Sequence, residues 1–563
     1  MTSTRIPTAV DTAADDFLDA WVTHDPIAAT YMGIAGYDDK LPSLDPDWLQ
    51  ARSDLRRGVL RRVADIPTTD ANDRITVEAL TEEIDAAEAV RASGAEESDI
   101  KIIGSPLQAV REVFDLMPRA STDDWVMIAR RLAEVPQAIA GYTASLRLAA
   151  SRGDVRARRQ IEIGIRHSED NVGPDGLFER LAREARATDG GELPESLRAD
   201  LERCAASAGA AYAELADVLR SELLPAAPER DGVGRDRYAL FSRTYLGSRI
   251  DLEESYEWGK AELARIRALM HQTAQRIKPG ASVAEAMHAL NNDPARMLHG
   301  TDALKAWMQG KSDAAVAALA DSHFDIPQPI RRLECLIAPT QQGGIYYTGP
   351  SEDLVTRPGQ MWWSVPKGEH QFTTWKELST VYHEGVPGHH LQVAQTAYRR
   401  DLLNRWRRLA SWVSGHGEGW ALYAERLMEE LGFLDDPGDL MGMLDAQSLR
   451  AARVVLDIGV HCGFDAPESV GGGEWNWEKG WEFLSANVGS SEGTRRFELT
   501  RYLGWPGQAP SYKLGERMWL QLREDARIKQ GDAFDLTTFH RDALDIGSVG
   551  LDVLRSAVLG EFD

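Results

Sequence analysis

The chain has 563 residues, 43% of them hydrophobic and 27% charged, an ordinary globular composition that excludes an intrinsically disordered protein. Against a soft prior of one domain per ~150 residues it is also too long for a simple binding module. Acidic residues outnumber basic ones 88 to 63, and a formal charge of −25 repels phosphate backbones and anionic lipid, so no nucleic-acid or membrane partner is expected.

In chain order, the first half reads as helix after helix. Apolar periodicity runs through 125–150 and 157–187. In the next segment Leu197, Leu201, Cys204, Ala208, Tyr212, Leu215 and Leu219 recur at three- and four-residue steps, one buried stripe on a long helix. Turn-rich breaks fall near 223–237, 278–281 and 466–474, and a further helix is expected over 251–276. Between about 330 and 366 the texture changes. RLECLIAPT, GGIYYTG and GQMWWSV are short β-branched or aromatic runs bounded by Gly and Pro, which predict two or three strands. Helices resume at 374, where Thr374 and Glu377 have the spacing of a capping box. The start, MTSTRIPTAVDTAADDF, lacks the pattern of a signal peptide, and no apolar run approaches the ~18 residues of a membrane span. Cys204, Cys335 and Cys462 are too scattered for a disulfide framework or a thiolate zinc site, so a reduced, cytoplasmic location is expected.

The histidines are unevenly placed. His370, His383, His389, His390, His416 and His461, six of the thirteen, fall within 92 residues. Uniform spreading would put about two there, and histidine is the commonest metal ligand and general base. At the centre stands His383-Glu384-Gly385-Val386-Pro387-Gly388-His389-His390. In the zinc-peptidase pattern H-E-x-x-H, two histidines at i and i+4 share a helix face and the Glu acts as base. Here the second histidine comes at i+6 or i+7, so the pattern fails literally. On a straight helix His390 would lie about 10 Å further along the axis, and His389 would face the wrong way. Pro387, however, has no N–H for the carbonyl of His383, and Gly388 tolerates unusual backbone angles. A bulge of two residues at this break brings His389 to the position normally held at i+4, with His390 as its rival.

The third ligand of such a site is commonly a Glu on a following helix. GHGEGWALYAERLMEEL supplies Glu418, with His416 as a rival and Glu425, two turns on, as the natural partner of a ligating histidine. Arg501, Gln508, Tyr512 and Lys513 flank a Pro-Gly turn. From there Tyr512 or Arg501 could stabilise an oxyanion, and the fork of Arg501 also suits a substrate carboxylate. Asp457 and His461, at i and i+4, form either a pair supporting the site or a structural one. Tyr346, Tyr347, Trp362 and Trp363 suit a cleft wall or the core. The plain alternatives are a surface His-Glu pair, an ordinary helix end at GHH and a Tyr512 packed with its hydroxyl satisfied.

HEGVPGHHLQ followed by GEGWALYAERL resembles the DUF885 family of bacterial proteins, related to the zincin metallopeptidases. YMGIAGYDDKLPSLD, ARVVLDIGVH and RYLGWPGQAPSYKLG extend the resemblance over nearly the entire chain. It implies a mainly α, large helical zincin-like fold with a deep cleft and a small β-sheet beside the metal-site helix. A helical lobe would span 1–250 and a catalytic lobe 251–563, both within one family-wide domain. The resulting expectation is a peptidase that cleaves oligopeptides. Zn²⁺ would be held by His383, His389 and Glu418, with Glu384, Tyr512 and Arg501 as catalytic residues. A metal-free or inactive peptide-binding protein and a zinc hydrolase of non-peptide amides are the competing readings. A di-iron bundle falls, because it needs two Glu-x-x-His pairs and the chain has one, Glu285 with His288.

Overall fold

The computed structural model describes residues 5–188, 192–338 and 344–562, and the architecture is mainly α, as expected. The long stripe forms helix Glu195–Val218 and continues into one π-turn, Leu219–Leu223; all seven of its apolar residues are buried. Helices Thr122–Ser151 and Leu252–Ile277 lie where periodicity places them. The segment 157–187 is not one helix but two, Arg158–Glu169 and Leu177–Arg183. The first helix ends at Glu169, and the intervening NVGPDG carries a left-handed glycine, Gly173 at φ +77°, that turns the chain despite a periodic pattern that runs on. Among the described residues no helix is long and apolar enough to cross a membrane.

Among the described residues three apolar cores hold the helices together. The largest joins N-terminal residues such as Leu18, Leu80 and Ile84 to many from the second half, including Trp375, Trp420, Leu456 and Trp519. A second lies within the first half, around Phe114, Leu132, Phe178 and Tyr212. The third sits under the small sheet.

The strands are β1 (Met297–His299), β2 (Leu333–Ile337), β3 (Gly344–Thr348), β4 (Gly359–Ser364) and β5 (Gln371–Thr373). Those expected between 330 and 366 form one sheet in the order β2-β4-β3, with β2 parallel and β3 antiparallel to β4. An antiparallel ribbon of β1 and β5 precedes the helix Thr374–Glu384. The core beneath the sheet packs Cys335 of β2 and Met361 and Trp363 of β4 together with Val381 of that helix. The sheet therefore fixes where helix 374–384 lies. Its cap differs from the expectation: Thr373 is the N-cap, and no side chain closes the first turn. Glu377 is instead half-buried, and desolvation pushes its carboxyl up to about 7.

Helix Ser414–Glu430 crosses helix Ser511–Gln530 with unusual closeness, because glycines meet glycines. A Cβ on Gly515 would stand 2.2 Å from the carbonyl oxygen of Gly415, and one on Gly419 would stand 2.5 Å from the carbonyl carbon of Gly515. Backbone cannot yield as a side-chain tip can. Gly515→Ala is therefore expected to lower stability by about 1–3 kcal/mol through overpacking. A urea midpoint equal to that of the wild type would show that the two helices separate freely.

Candidate metal centre

Helix 374–384 stops at Glu384, and a second helix, His389–Tyr398, begins after four intervening residues. The expected two-residue bulge is thus a complete break between two helices. Pro387 removes a donor, the Val386–Pro387 bond is cis, and Gly388 passes very close to the preceding turn. A Cβ there would lie 1.9 Å from the carbonyl oxygen of His383. The break is satisfied internally: Gly388 N–H donates to the Tyr382 carbonyl at 3.1 Å, and His390 N–H to that of Gly385 at 3.1 Å. The Trp420 indole N–H donates to the carbonyls of Pro387, at 2.9 Å, and Gly388, at 3.3 Å. That bond anchors the turn to helix 414–430, two residues from Glu418.

The outcome is convergence. His383 Nε2 lies 3.3 Å and His389 Nε2 3.5 Å from Glu418 Oε2, and the ligand atoms of all three residues fall within 4.8 Å of one another. Donors about 2 Å from a tetrahedral ion stand about 3.3 Å apart, so this spacing suits one small cation bound by nitrogen and oxygen. His383 and His389 are buried and Glu418 is half-buried. The opposite nitrogen of His383, Nδ1, is 2.7 Å from Glu425 Oε1, and the other Glu425 oxygen accepts from the hydroxyl of Ser379. A buried carboxylate behind a histidine sets its tautomer and aims its second nitrogen. His389 lacks such support, and its buried Nδ1 has no partner.

Burial and neighbouring charge act in opposite senses on these side chains. Burial would lower the His383 imidazole, but hydrogen bonds from Glu418 and Glu425 push it up to about 10. Burial raises Glu418, yet the two histidines hold it far below the ordinary carboxylate range. Glu384 is 7% exposed; desolvation raises its carboxyl, while His389 and His383 act in the opposite sense. Glu384 therefore lies within electrostatic reach of the cluster without being one of its three converging donors.

The rivals are otherwise engaged. His390 uses both nitrogens, Nδ1 with the Tyr347 hydroxyl at 2.9 Å and Nε2 with the Ile330 carbonyl at 2.8 Å. A Cβ on Gly359 would collide with that Tyr347–His390 pair, which is why β4 can pass it. His416 bonds the Val549 carbonyl through Nδ1 at 3.0 Å and packs edge-on to Trp519; its Nε2 is buried without a partner, but it is not among the converging donors. Tyr346 is exposed and stacks on Trp362, whereas Trp363 is core.

Arg501 donates Nη1 to Gln508 at 2.5 Å and Nη2 to Glu498 at 2.7 Å, so two of its donors are engaged close by in sequence. Lys513 is buried between Glu516, Gln447 and Glu262. Tyr512 is half-buried near the cluster: desolvation, then the charge of Glu418, push its phenol up to about 12. Glu285 only caps its own helix with Ser282, and His288 faces solvent.

Asp457 and His461 lie in a separate buried group. One oxygen of Asp457 accepts from the Tyr238 hydroxyl at 2.7 Å and Gly507 N–H at 2.9 Å, and His461 Nε2 is 2.8 Å from the Tyr502 carbonyl. Residues without an individual sequence signal complete the surroundings: Ser379, the half-exposed Trp412 with its ring centre 6.2 Å from that of His389, and Arg450 and Arg453.

The sequence profile of DUF885, a bacterial protein family of unknown function, matches residues 26–558. The chain belongs to DUF885. No protein of curated function matches this DUF885 chain. Its fold is similar to the crystal structure of a "putative lipoprotein" from Colwellia psychrerythraea, with TM-score 0.83 and 22% identity over 98% of each chain. It is also similar to that of a "putative lipoprotein of unknown function" from Shewanella oneidensis, with TM-score 0.73 and 15% identity over 98% of this chain and 100% of that one. At these identities the likeness is one of fold.

Glu425→Gln keeps an acceptor beside His383 but removes its charge. Affinity for added Zn²⁺ is expected to fall about 10–100-fold, read by competition with a chromophoric chelator, with circular dichroism unchanged. Unaltered affinity would reduce Glu425 to a packing residue. Asp457 yields a pH prediction away from the cluster. Burial raises its carboxyl from 3.8 to about 7, so the folded state holds a proton that the unfolded state has released. Between those two values wild-type stability is lost as pH rises. Asp457→Asn should remove that loss, so the variant's advantage in urea unfolding grows from pH 4 to about 7 and then levels. A constant difference across that range would contradict the assignment.

Proposed function

We propose that this DUF885 protein is a zinc-dependent peptidase acting on short peptides, a chemistry it would share with the zincins. The observation that carries the proposal is the convergence of His383, His389 and Glu418 on one point, with Glu384 beside them. Two imidazoles and one carboxylate are the donor set of zinc hydrolases, which leaves a position open for water or substrate. Bound there, Zn²⁺ supplies a Lewis acid that polarises a carbonyl and makes water acidic enough to attack near neutral pH.

The chain's own residues do the remaining work. Glu384 accepts the proton of the attacking water and returns it to the leaving amine. Glu425 keeps His383 in the tautomer whose Nε2 faces the site. Tyr512 is close enough to feel the charge of Glu418 and carries a hydroxyl that can donate to the developing oxyanion. Burial of His383, Glu384 and His389 limits access to chains without fixed structure, which supports oligopeptides over folded proteins.

The test separates base from ligand. Glu384→Gln should retain one zinc per chain, by elemental analysis, while hydrolysis of a peptide library falls by about 10²-fold or more. His383→Ala should lose zinc and hydrolysis together. Wild-type protein that binds no zinc, or zinc loss in both variants, would refute the proposal.

A further inference from the structure

Helix Pro437–Cys462 carries Arg450 and Arg453 one turn apart, hence on one face. Arg453 is 6% exposed. It donates Nε to the Tyr502 hydroxyl at 2.6 Å and Nη2 to Glu498 at 3.2 Å, but its buried Nη1 has no partner. Half-buried Arg450 has no carboxylate within 4.0 Å among the described residues. Its Nη1 reaches only the Ala446 carbonyl of its own helix, at 3.3 Å, and its buried Nε is unpartnered. Each such group forgoes a charge-assisted hydrogen bond, which is costly away from water.

Their location gives this meaning. The Arg453 guanidinium lies 4.8 Å from the ring centre of Tyr512, whose phenol is raised in part by the charge of Glu418. Tyr512 lies in the first turn of the helix whose Gly515 abuts Gly419, the neighbour of Glu418, and helix 437–462 packs against helix 374–384, which ends in His383 and Glu384. The face with spare donors is thus next to the metal cluster. The charge count there is specific. Arg453 and Arg501 share Glu498, whereas Arg450 has no carboxylate at ion-pair distance among the described residues. A group with one negative charge and two acceptor oxygens suits what remains, because guanidinium donors match a planar carboxylate.

Resting on the peptidase reading, we propose that Arg450, with the free Nη1 of Arg453, forms a subsite for a carboxylate of the substrate beside the His383–His389–Glu418 cluster. A substrate C-terminus and an acidic side chain offer the same chemistry. A C-terminus held there would confine cleavage to bonds near that end of the peptide.

The test uses binding, so it stands apart from turnover. A randomised hexapeptide mixture, made once as free acid and once as C-terminal amide, is incubated with full-length Glu384→Gln protein, and the retained peptides are read by mass spectrometry. Acids should be retained about 10–100-fold better than amides, the range of a charge-assisted pair. The preference should collapse toward unity in Glu384→Gln/Arg450→Met, which keeps the apolar stem, and in part in Glu384→Gln/Arg450→Lys, which keeps charge without the fork. Equal retention of acids and amides, with Asp or Glu enriched at one position in an Arg450-dependent way, would assign the subsite to a side-chain carboxylate. Equal retention without such enrichment, retention of neither set, or a preference that survives both Arg450 substitutions would overturn it. Zinc content and hydrolysis by the wild type are scored separately, so failure of the peptidase reading with the acid preference intact is a distinct result.

Discussion

The site depends on a helix being broken in a place that excludes water. Four residues, Gly385 to Gly388, leave the helical pattern between His383 and His389, and their backbone groups still need partners in the interior. Part of that need is met locally and part by the Trp420 indole, which donates to Pro387 and Gly388. Trp420 belongs to the same helix as Glu418 and Glu425. One hydrogen-bonded contact therefore couples the turn that sets the separation of the histidines to the helix that supplies both carboxylates.

Charge is organised against the average of the molecule. A net −25 describes the whole chain, yet helix 437–462 carries Arg450 and Arg453 on one face, and among the described residues Arg450 has no carboxylate within 4.0 Å. Around His383 the balance is reversed, with Glu418 and Glu425 on either side of one imidazole. Desolvated like charges at close range are unfavourable, so the carboxylate pair persists only with a proton or a cation between its members. The same rule accounts for Glu498, which is kept ionised by Arg453 and Arg501.

Helical character, the three strands of the main sheet and the seven-residue stripe of helix 195–218 were legible because local periodicity reports burial directly. Where punctuation competed with periodicity, punctuation won, as at NVGPDG. The capping pair Thr374 and Glu377 has the right spacing, but the ribbon of β1 and β5 delivers the chain so that Thr373 takes the cap. Arg501 illustrates a different limit: the turn sequence does not show that Glu498, one helical turn back, and Gln508 each take one of its donors.

The sequence alone determined which residue types were at hand for a metal: two histidines about a Pro-Gly break, and a glutamate 29 positions later. It also determined that the helix must open there, since Pro387 lacks a donor and Gly388 tolerates unusual backbone angles, whereas the outright break, with Gly388 against the carbonyl of His383, was decided by the fold. Which histidine turns toward Glu418 was decided only by tertiary contacts, because Tyr347 and Ile330 occupy both nitrogens of His390 and leave His389 to the cluster. Partners so distant in sequence cannot be read from local spacing. They are selected when packing against the sheet and helix 414–430 removes water and obliges every buried polar atom to find a bond.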